Sequence, residues 1–366
     1  MGKSLVGVKS VINKIIYKNS QGNREFRHRS VLMIIGYNSD RYLEYTFRHK
    51  DSLIQKRSDS IFSQTDFNNI KAIVDQISKD LETLTVDKVV EIQDLMSVIT
   101  ENFLPKAIID FLLKNKNSIS YIAIDDDDLP FDIPFNLFFI PDYNEQGEYI
   151  TNYGFFLGEK FTISKLTEDS DMAQLQIRNI GIISSEDLPG SIREEIDIKQ
   201  TFNGRQNVNI VSLSSNDEIK RFIQQSNPEC LHFCCHGNPR QEIIYNKNNS
   251  YIYFTMDELN LIRFKTGAFI FLNICYSGYS KYDNGAIRSI ARKFLSKNSK
   301  LVISSEWPIN DNFGGNIGLN FYKSICRDRI AIQVIHELKN NANGLQEKIC
   351  AVAYTLRGDP KITLLF

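Results

Sequence analysis

Two short segments of this 366-residue sequence end apolar runs on residues that can attack a carbonyl group or carry a proton. In LHFCCHG (231–237) the run stops at His236, and Gly237 lets the chain turn with its backbone exposed. In FIFLNICYSG (269–278) the run stops at Cys275, before a turn of small residues. A thiol nucleophile needs an imidazole to manage its proton and backbone amides to stabilise an oxyanion. His236 and Cys275 are therefore candidates for such a pair, with the amides of Gly237 and Cys275 as candidate oxyanion donors.

These residues can meet only if the elements that carry them lie side by side in one sheet. From about residue 119, short apolar runs alternate with helix-like stretches, which is typical of an α/β fold with a mainly parallel sheet covered by helices on both faces. The apolar runs are residues 120–125, 179–184, 208–214, 230–237, 267–278, 300–308 and 362–366. The helix-like stretches are residues 192–202, 217–225, 286–295, 313–326 and 331–340. Sites in such sheets form beyond the carboxyl ends of the strands, so His236 and Cys275 are expected on the same edge.

The N-terminal part of the chain has a different pattern of polar and apolar residues and no enzymatic motif. The first 65 residues alternate polar and apolar side chains between turn-like segments at 20–23 and 38–40, which predicts a small antiparallel sheet or meander. Residues 66–114 carry apolar side chains at helical spacing, which predicts two or three amphipathic helices. The sequence therefore predicts a small β-then-α module over residues 1–115 and an α/β domain over residues 116–366.

Composition narrows the classes of partner. With 43 Lys and Arg against 44 Asp and Glu, the net charge is −1, which argues against a protein that coats nucleic acid or anionic lipid. No apolar stretch approaches the roughly 18–20 residues of a membrane helix, and the N-terminus lacks the apolar segment of a signal peptide. The six cysteines show no disulfide-framework spacing, and the sequence lacks Walker, GxGxxG and GxSxG patterns. These features predict a cytoplasmic protein with no membrane or nucleic-acid partner and no cofactor.

The clustered cysteines and histidines around residue 232 invite a zinc-site hypothesis. The candidates are Cys230, His232, Cys234, Cys235 and His236. Structural zinc sites place ligand pairs on turns, whereas these residues fall on one predicted strand, where neighbours point to opposite faces. His232, Cys234 and His236 would share one face, and Cys235 would take the other. We therefore predict no metal site and interpret Cys230, Cys234 and Cys235 as core residues.

Six segments resemble, in order, the motifs of the CHAT domain, a branch of the clan CD caspase-like cysteine peptidases related to caspases and separase. They are DLPFDIPFNLFF (128–139), LPGSIREEIDIKQTF (188–202), CCHGNP (234–239), LNICYSG (272–278), SSEWPINDNFGGNIGLNFYKSI (304–325) and TLRGDPKITLLF (355–366). The resemblance covers about 240 residues, from about residue 125 to residue 366. Two departures stand out: Asn273-Ile274 precede Cys275 where the family often has Ser or Thr and then Ala, and Phe135-Asn136 replace a usual Trp-Glu.

The resemblance implies a caspase-like fold and a cysteine endopeptidase that acts through a thioester at Cys275, with His236 as proton carrier. It implies a specific protein substrate, no cofactor, and regulation by an activating protein or ligand. Similar architectures suggest that residues 1–115 form a docking or regulatory module. Related proteins often belong to bacterial stress, antiviral or cell-death modules, which is the context we expect here.

A charged residue in the specificity pocket would select a charged side chain before the cleaved bond. The candidates are Asp311, Glu306 and Asp283, with Asp127 and Asp128 as more distant possibilities. An acid in this pocket would favour cleavage after Arg or Lys, although Asp311 could instead cap the helix predicted from Phe313. A catalytically silent binding scaffold on the same fold is the main alternative function. A cysteine-dependent acyl transferase or ester hydrolase is a further one.

Overall fold

The computed structural model describes residues 30–37, 40–50, 52–61, 63–125, 129, 133–143, 149–166, 174–283, 286–326 and 329–366. Its first elements are three strands followed by three helices. These are β1 (Ser30–Tyr37), β2 (Tyr42–His49), β3 (Ser52–Ile61), α1 (Gln64–Asp80), α2 (Val86–Phe103) and α3 (Lys106–Asn115). Helix α1 begins at a capping box, because Ser63 accepts the backbone N–H of Asp66 and Asp66 accepts that of Ser63.

The rest of the described chain alternates strands and helices. Its first part contains β4 (Tyr121–Asp125), β5 (Phe139–Tyr143), β6 (Tyr149–Phe156), α4 (Leu157–Lys160), β7 (Thr162–Lys165), β8 (Gln174–Gln176), β9 (Asn179–Ser184), α5 (Pro189–Phe202), β10 (Asn209–Ser212), α6 (Asn216–Ser226) and β11 (Cys230–Gly237). Its second part contains β12 (Ile243–Lys247), β13 (Ser250–Phe254), α7 (Met256–Asn260), β14 (Ala268–Ile274), β15 (Lys281–Asp283), β16 (Ala286–Arg288), α8 (Ile290–Ser296), β17 (Ser299–Ser305), α9 (Asp311–Ile325), α10 (Ala331–Asn340), α11 (Leu345–Ala353), β18 (Tyr354–Gly358) and β19 (Thr363–Leu365).

One large sheet organises the protein, in the strand order β10-β9-β11-β14-β17-β18-β7-β4-β1-β2-β3. Strands β10, β9, β11, β14 and β17 run parallel to one another, and β18 pairs antiparallel with β17. Both faces of β11 are buried, since Cys230 and Cys234 face one core cluster while Phe233 and Cys235 face the other. The predicted fold class, a mainly parallel sheet covered on both faces, is confirmed.

The structure differs from the sequence prediction at several element boundaries. Strand β1 pairs in parallel with β4, so the N-terminal meander extends the large sheet instead of forming a separate one. The predicted domain boundary at residues 115 and 116 stays a prediction. The predicted helix at 286–295 begins only at Ile290, because Ser289 caps it and β16 precedes it. The predicted strand at 362–366 pairs with β8 outside the large sheet, where β18 takes the position beside β17.

Among the residues that the structure describes, no helix is both long enough and apolar enough to cross a bilayer.

Helix α9 lies unusually close to α5 and β14 through a face of glycines. A side chain at Gly314 would approach the amide of Asn273, and one at Gly315 would approach the backbone of Gly190. At Gly318 a Cβ atom would lie 1.5 Å from Oε1 of the buried Glu194. Glycine at these positions therefore allows the close approach that brings α5 under the end of β14.

We expect Gly318→Ala to lower the free energy of unfolding by roughly 1–3 kcal/mol, the usual cost of overpacking a core. The gain in helix propensity, about 1 kcal/mol at most, is smaller than the cost of displacing a buried carboxylate. Urea unfolding of the two proteins measures the difference. Gly36→Ala is the control, because the nearest atom to a Cβ there is 4.0 Å away. A Gly318→Ala protein as stable as the wild type would contradict the close approach.

Candidate active site

The register of two neighbouring strands places His236 beside Cys275. Strands β11 and β14 are parallel, and their last paired residues are Cys235 and Ile274. The next residue on each strand is His236 and Cys275, so both leave the same carboxyl edge of the sheet. His236 also pairs with Ile244 of β12, which anchors the end of β11 from a second direction. The two residues that the sequence nominated for chemistry are therefore brought together.

The backbones of the two strand ends touch at Gly237. A Cβ atom at this position would lie 2.1 Å from the carbonyl oxygen of Cys275, so only glycine fits without moving one of the strands. After Cys275 the chain turns sharply at Tyr276, whose φ is 59°. The turn is tied to β17, because Gly278 N–H donates to the carbonyl of Ser305. The assignment of the Gly237 and Cys275 amides as oxyanion donors stays a prediction.

Cys275 is a half-buried thiol. Its Sγ donates to the carbonyl oxygen of Ile309, at 3.8 Å. Burial raises the pKa of the Cys275 thiol, and the negative charge of Asp311 acts in the same direction. The thiol is therefore protonated at neutral pH, and a nearby base must remove its proton before it can act as a nucleophile.

The imidazole of His236 has a carboxylate partner that sequence analysis did not nominate. Its Nε2 lies 3.0 Å from Oδ2 of Asp187, in the loop that follows β9. Asp187 also accepts hydrogen bonds from the hydroxyls of Ser185, at 2.5 Å, and Tyr251, at 2.8 Å. Burial alone would raise the pKa of Asp187, but the hydrogen bonds from Ser185, Tyr251 and His236 outweigh it and lower the pKa. The sequence did contain a signal for Asp187, because this residue comes shortly after the end of a predicted strand, as candidate site residues do in such sheets.

The predicted pocket acids lie in different environments. Asp311 is the first residue of α9, and its Oδ2 accepts the N–H of Gly190 at 2.7 Å. The cap of α9 is Asn310, so Asp311 does not cap its own helix. Glu306 is buried and forms an ion pair with Arg357 at 3.0 Å, and its carboxylate lies beneath the loop after Cys275.

The side chains of the other three predicted acids lie outside the described residues. The backbone of Asp283 belongs to β15, but its side chain lies outside the described residues. Asp127 and Asp128 also lie outside the described residues.

A buried polar cluster lies one layer below Cys275. Donor atoms of Glu194, His232 and Cys234 lie within 4.8 Å of one another, a spacing that a metal ion could bridge. The amide of Asn273, however, donates to both oxygens of Glu194, at 3.0 and 2.8 Å. The Cys234 thiol in turn donates to the carbonyl of Ile183. Burial raises the pKa of Glu194, while its contacts with His232 and Asn273 oppose that shift. We interpret the cluster as internal packing, since the carboxylate of Glu194 is already bound by Asn273 and lies 3.0 Å from Nε2 of His232.

The departure from the family motif at Asn273 has a structural partner. Its Oδ1 accepts a hydrogen bond from the hydroxyl of Tyr354 on β18, at 2.6 Å, so Asn273 links Glu194 of α5 to the other side of β14. The second departure, Asn136, is buried and donates to the hydroxyl of Thr355, at 2.6 Å.

Helix α1 contacts the turn that follows Cys275. Burial raises the pKa of Tyr276, and Ser78 of this helix opposes that rise. The rings of Tyr276 and Tyr279 meet edge to face, with centroids 6.0 Å apart. A small cleft between helix and turn is lined by Ile70, Lys71, Val74, Pro134, Tyr279, Ser280 and Glu306. The N-terminal part of the chain therefore touches the candidate site directly.

Solved structures share this fold at low sequence identity. A chain in the 3.0 Å crystal structure of the Saccharomyces cerevisiae separase–securin complex matches with a TM-score of 0.57 and 10% identity, over 93% of this chain and 30% of that one. A chain in the 2.6 Å structure of the same complex matches with a TM-score of 0.50 and 11% identity, over 93% and 31%. This protein thus corresponds to less than a third of those chains. At these identities the likeness establishes the fold alone, and it confirms the predicted caspase-like architecture.

No curated protein matches this sequence significantly. The model of the CHAT domain family does match, over residues 91–348, which is more than two thirds of the chain. The match includes both strand ends that carry His236 and Cys275, and it confirms the resemblance; five of the six segments lie inside it, and the segment at 355–366 follows it. The chain belongs to the CHAT domain family.

Proposed function

We propose that this protein is a cysteine endopeptidase that cleaves a specific protein after a basic residue. The observation that carries the proposal is the register of β11 and β14, which places an imidazole and a half-buried thiol on adjacent strand ends. Membership of the CHAT family, with its caspase-like protease fold, supports the same chemistry. The cytoplasmic location and the stress, antiviral or cell-death context stay predictions from the sequence.

The proposed reaction begins with the protonated thiol. As Sγ of Cys275 attacks the carbonyl carbon of the substrate, His236 takes the thiol proton and later gives it to the departing amine. A thioester remains on Cys275. His236 then accepts a proton from water as the water attacks the thioester, and the acid product and free thiol are restored. The raised pKa of Cys275 makes the imidazole essential, because little thiolate exists before the substrate binds.

Cys275→Ala and His236→Ala are each expected to lower peptide cleavage by roughly a thousandfold or more, because each removes a group that bonds or carries a proton in the reaction. The measurement compares new N-termini in a proteome co-expressed with each protein. Cys326→Ala is the control, since Cys326 is also a partly exposed cysteine. Cuts that persist in Cys275→Ala would contradict the proposal. If the wild type makes no cuts, labelling of Cys275 by a thiol-reactive peptide probe separates an enzyme awaiting its activator from a silent scaffold.

We propose that the protein cleaves after Arg or Lys because of the position of Asp311. Asp311 lies two residues after Ile309, whose carbonyl oxygen accepts the Cys275 thiol at 3.8 Å, so the start of α9 is near the nucleophile of the proposed reaction. One carboxylate oxygen is bound to the N–H of Gly190, which fixes the side chain in place. A fixed carboxylate beside the nucleophile would attract an Arg or Lys side chain of the substrate. Glu306 is a weaker candidate, because Arg357 already neutralises it.

Asp311→Asn is expected to lower kcat/KM for peptides cleaved after Arg by about 10- to 100-fold. A hydrogen bond to a charged group contributes about 1.5–3 kcal/mol, and its loss lowers the rate by this factor. The amide oxygen can still accept the N–H of Gly190, so the fold is retained. Cleavage of a peptide with Gln at that position should change much less. Asp217→Asn, on the exposed start of α6, is the matched control for the loss of one charge. An equal loss for Arg and Gln peptides would argue against the pocket.

We also propose that the N-terminal module regulates the site through α1. Val74 of this helix and Tyr279 of the turn after Cys275 line the same small cleft. A protein or ligand that shifts α1 would therefore move the turn that carries the thiol. This contact gives an activating partner a physical route to the site without touching the substrate.

Val74→Ala is expected to speed amide hydrogen exchange at residues 276–280 by about 2- to 10-fold, because it removes apolar side-chain volume where α1 faces the turn. Mass spectrometry of exchanged peptides measures the effect. Val334→Ala, in α10, is the control for the truncation of a buried valine. Unchanged exchange at residues 276–280 would show that α1 does not restrain the turn.

A further inference from the structure

Three polar side chains lie in a row across three adjacent strand ends. In the sheet order, β11 stands between β9 and β14. His236 is the second-to-last residue of β11, Cys275 follows β14, and Asp187 belongs to the loop after β9. The imidazole is therefore flanked by a thiol on one side and a carboxylate on the other, which is the order of groups in a catalytic triad.

We infer that Asp187 is a positioning residue that fixes the orientation and the tautomer of His236. This inference rests on the proposed peptidase function. Asp187 lies 3.0 Å from Nε2 of His236, so that nitrogen carries a proton and donates it to the carboxylate. The unprotonated Nδ1 is then the nitrogen that must receive the proton of the Cys275 thiol. Asp187 touches neither the substrate nor the sulfur and acts only through the imidazole.

The carboxylate is itself held by two hydroxyl groups. Ser185 donates to Oδ1 and Tyr251 donates to Oδ2. The Ser185 hydroxyl also accepts the N–H of Asn246 on β12, which ties this loop to the hairpin of β12 and β13. The hydrogen bond to Asp187 raises the pKa of Tyr251, so the phenol stays protonated and remains a donor. These contacts fix the carboxylate, and a fixed partner can select one orientation of the imidazole.

The negative charge of Asp187 would stabilise the imidazolium that forms in the proposed reaction. Its pKa is lowered by the hydrogen bonds it accepts, so it is ionised at neutral pH. When His236 takes the thiol proton at Nδ1, the imidazolium carries a positive charge beside this carboxylate. The proton on Nε2 stays there throughout, and only the proton on Nδ1 travels from thiol to amine. Asp187 therefore stabilises the charged intermediate state without being protonated itself.

The test is the tautomer of His236 in the full-length protein labelled with ¹⁵N-histidine. The signal is assigned by its loss in His236→Gln. We expect the wild type to show a protonated Nε2 and an unprotonated Nδ1 above neutral pH, and Asp187→Ala to show a mixture of tautomers. In the same variant kcat should fall about 100-fold or more while KM changes little. Glu186→Ala is the matched control, because this neighbouring acid bonds Asn248 instead of His236.

A second variant guards against misfolding. Tyr251→Phe removes one of the hydroxyls that hold Asp187 and keeps the carboxylate, so kcat should fall several-fold with the tautomer retained. If Asp187→Ala does not fold, an unchanged kcat in Tyr251→Phe overturns the inference. Asp187→Ala with a wild-type tautomer or a wild-type kcat also overturns it.

Failure of the proposed function would look different. A wild type without peptidase activity still has a measurable tautomer, and the rate at which iodoacetamide alkylates Cys275 replaces kcat as the second readout. A slower rate in Asp187→Ala than in Glu186→Ala would support the positioning role even then. Equal rates would overturn it.

Discussion

The site depends on the in-register parallel pairing of β11 with β9 and β14. Backbone hydrogen bonds hold β11 on both sides, from Cys230 to the last residues before the edge. Because side chains alternate along a strand, a slip of one residue would turn His236 to the opposite face and shift it by about 3.3 Å along the sheet. Gly237 reinforces the register, since it is the only residue type that fits against the Cys275 carbonyl. The distance between imidazole and thiol is thus set by the sheet and not by loops.

A buried polar cluster supports the same strand from below. Asn273 lies two residues before Cys275, on the same face of β14, and bonds Glu194 and Tyr354. A buried carboxylate or amide is costly unless its hydrogen bonds are made, so these three residues are stable only together. The hydroxyl of Ser or Thr, which the family often has at this position, carries one hydrogen and could not donate to both oxygens of Glu194 as the amide does. Asn273 therefore joins α5, β14 and β18 beneath Cys275.

Sequence patterns predicted the residues at the strand ends more successfully than their partners. His236 and Cys275 could be found because apolar runs and turn residues mark where buried strands stop. Asp187 could not be chosen over Glu186 by sequence, because the path of the loop decides which acid meets the imidazole. Likewise, no pattern links Glu306 to Arg357, which neutralises it from a neighbouring strand. The pairing of β1 with β4 could not be predicted either. An alternating polar and apolar pattern is the same whether a strand forms a separate sheet or extends a larger one.

The raised pKa of Cys275 makes alignment the natural point of control. An enzyme with a preformed thiolate would be reactive whenever a substrate arrived, whereas a protonated thiol needs a correctly oriented imidazole at the moment of attack. Two separate parts of the chain lie around this pair. Helix α1 lines a cleft with the turn after the thiol, while Tyr251 of β13 donates a hydrogen bond to the carboxylate beside the imidazole. A shift in either α1 or the hairpin would change the alignment while leaving the sheet intact, so these contacts are where the proposed activity would be gated without a change of fold.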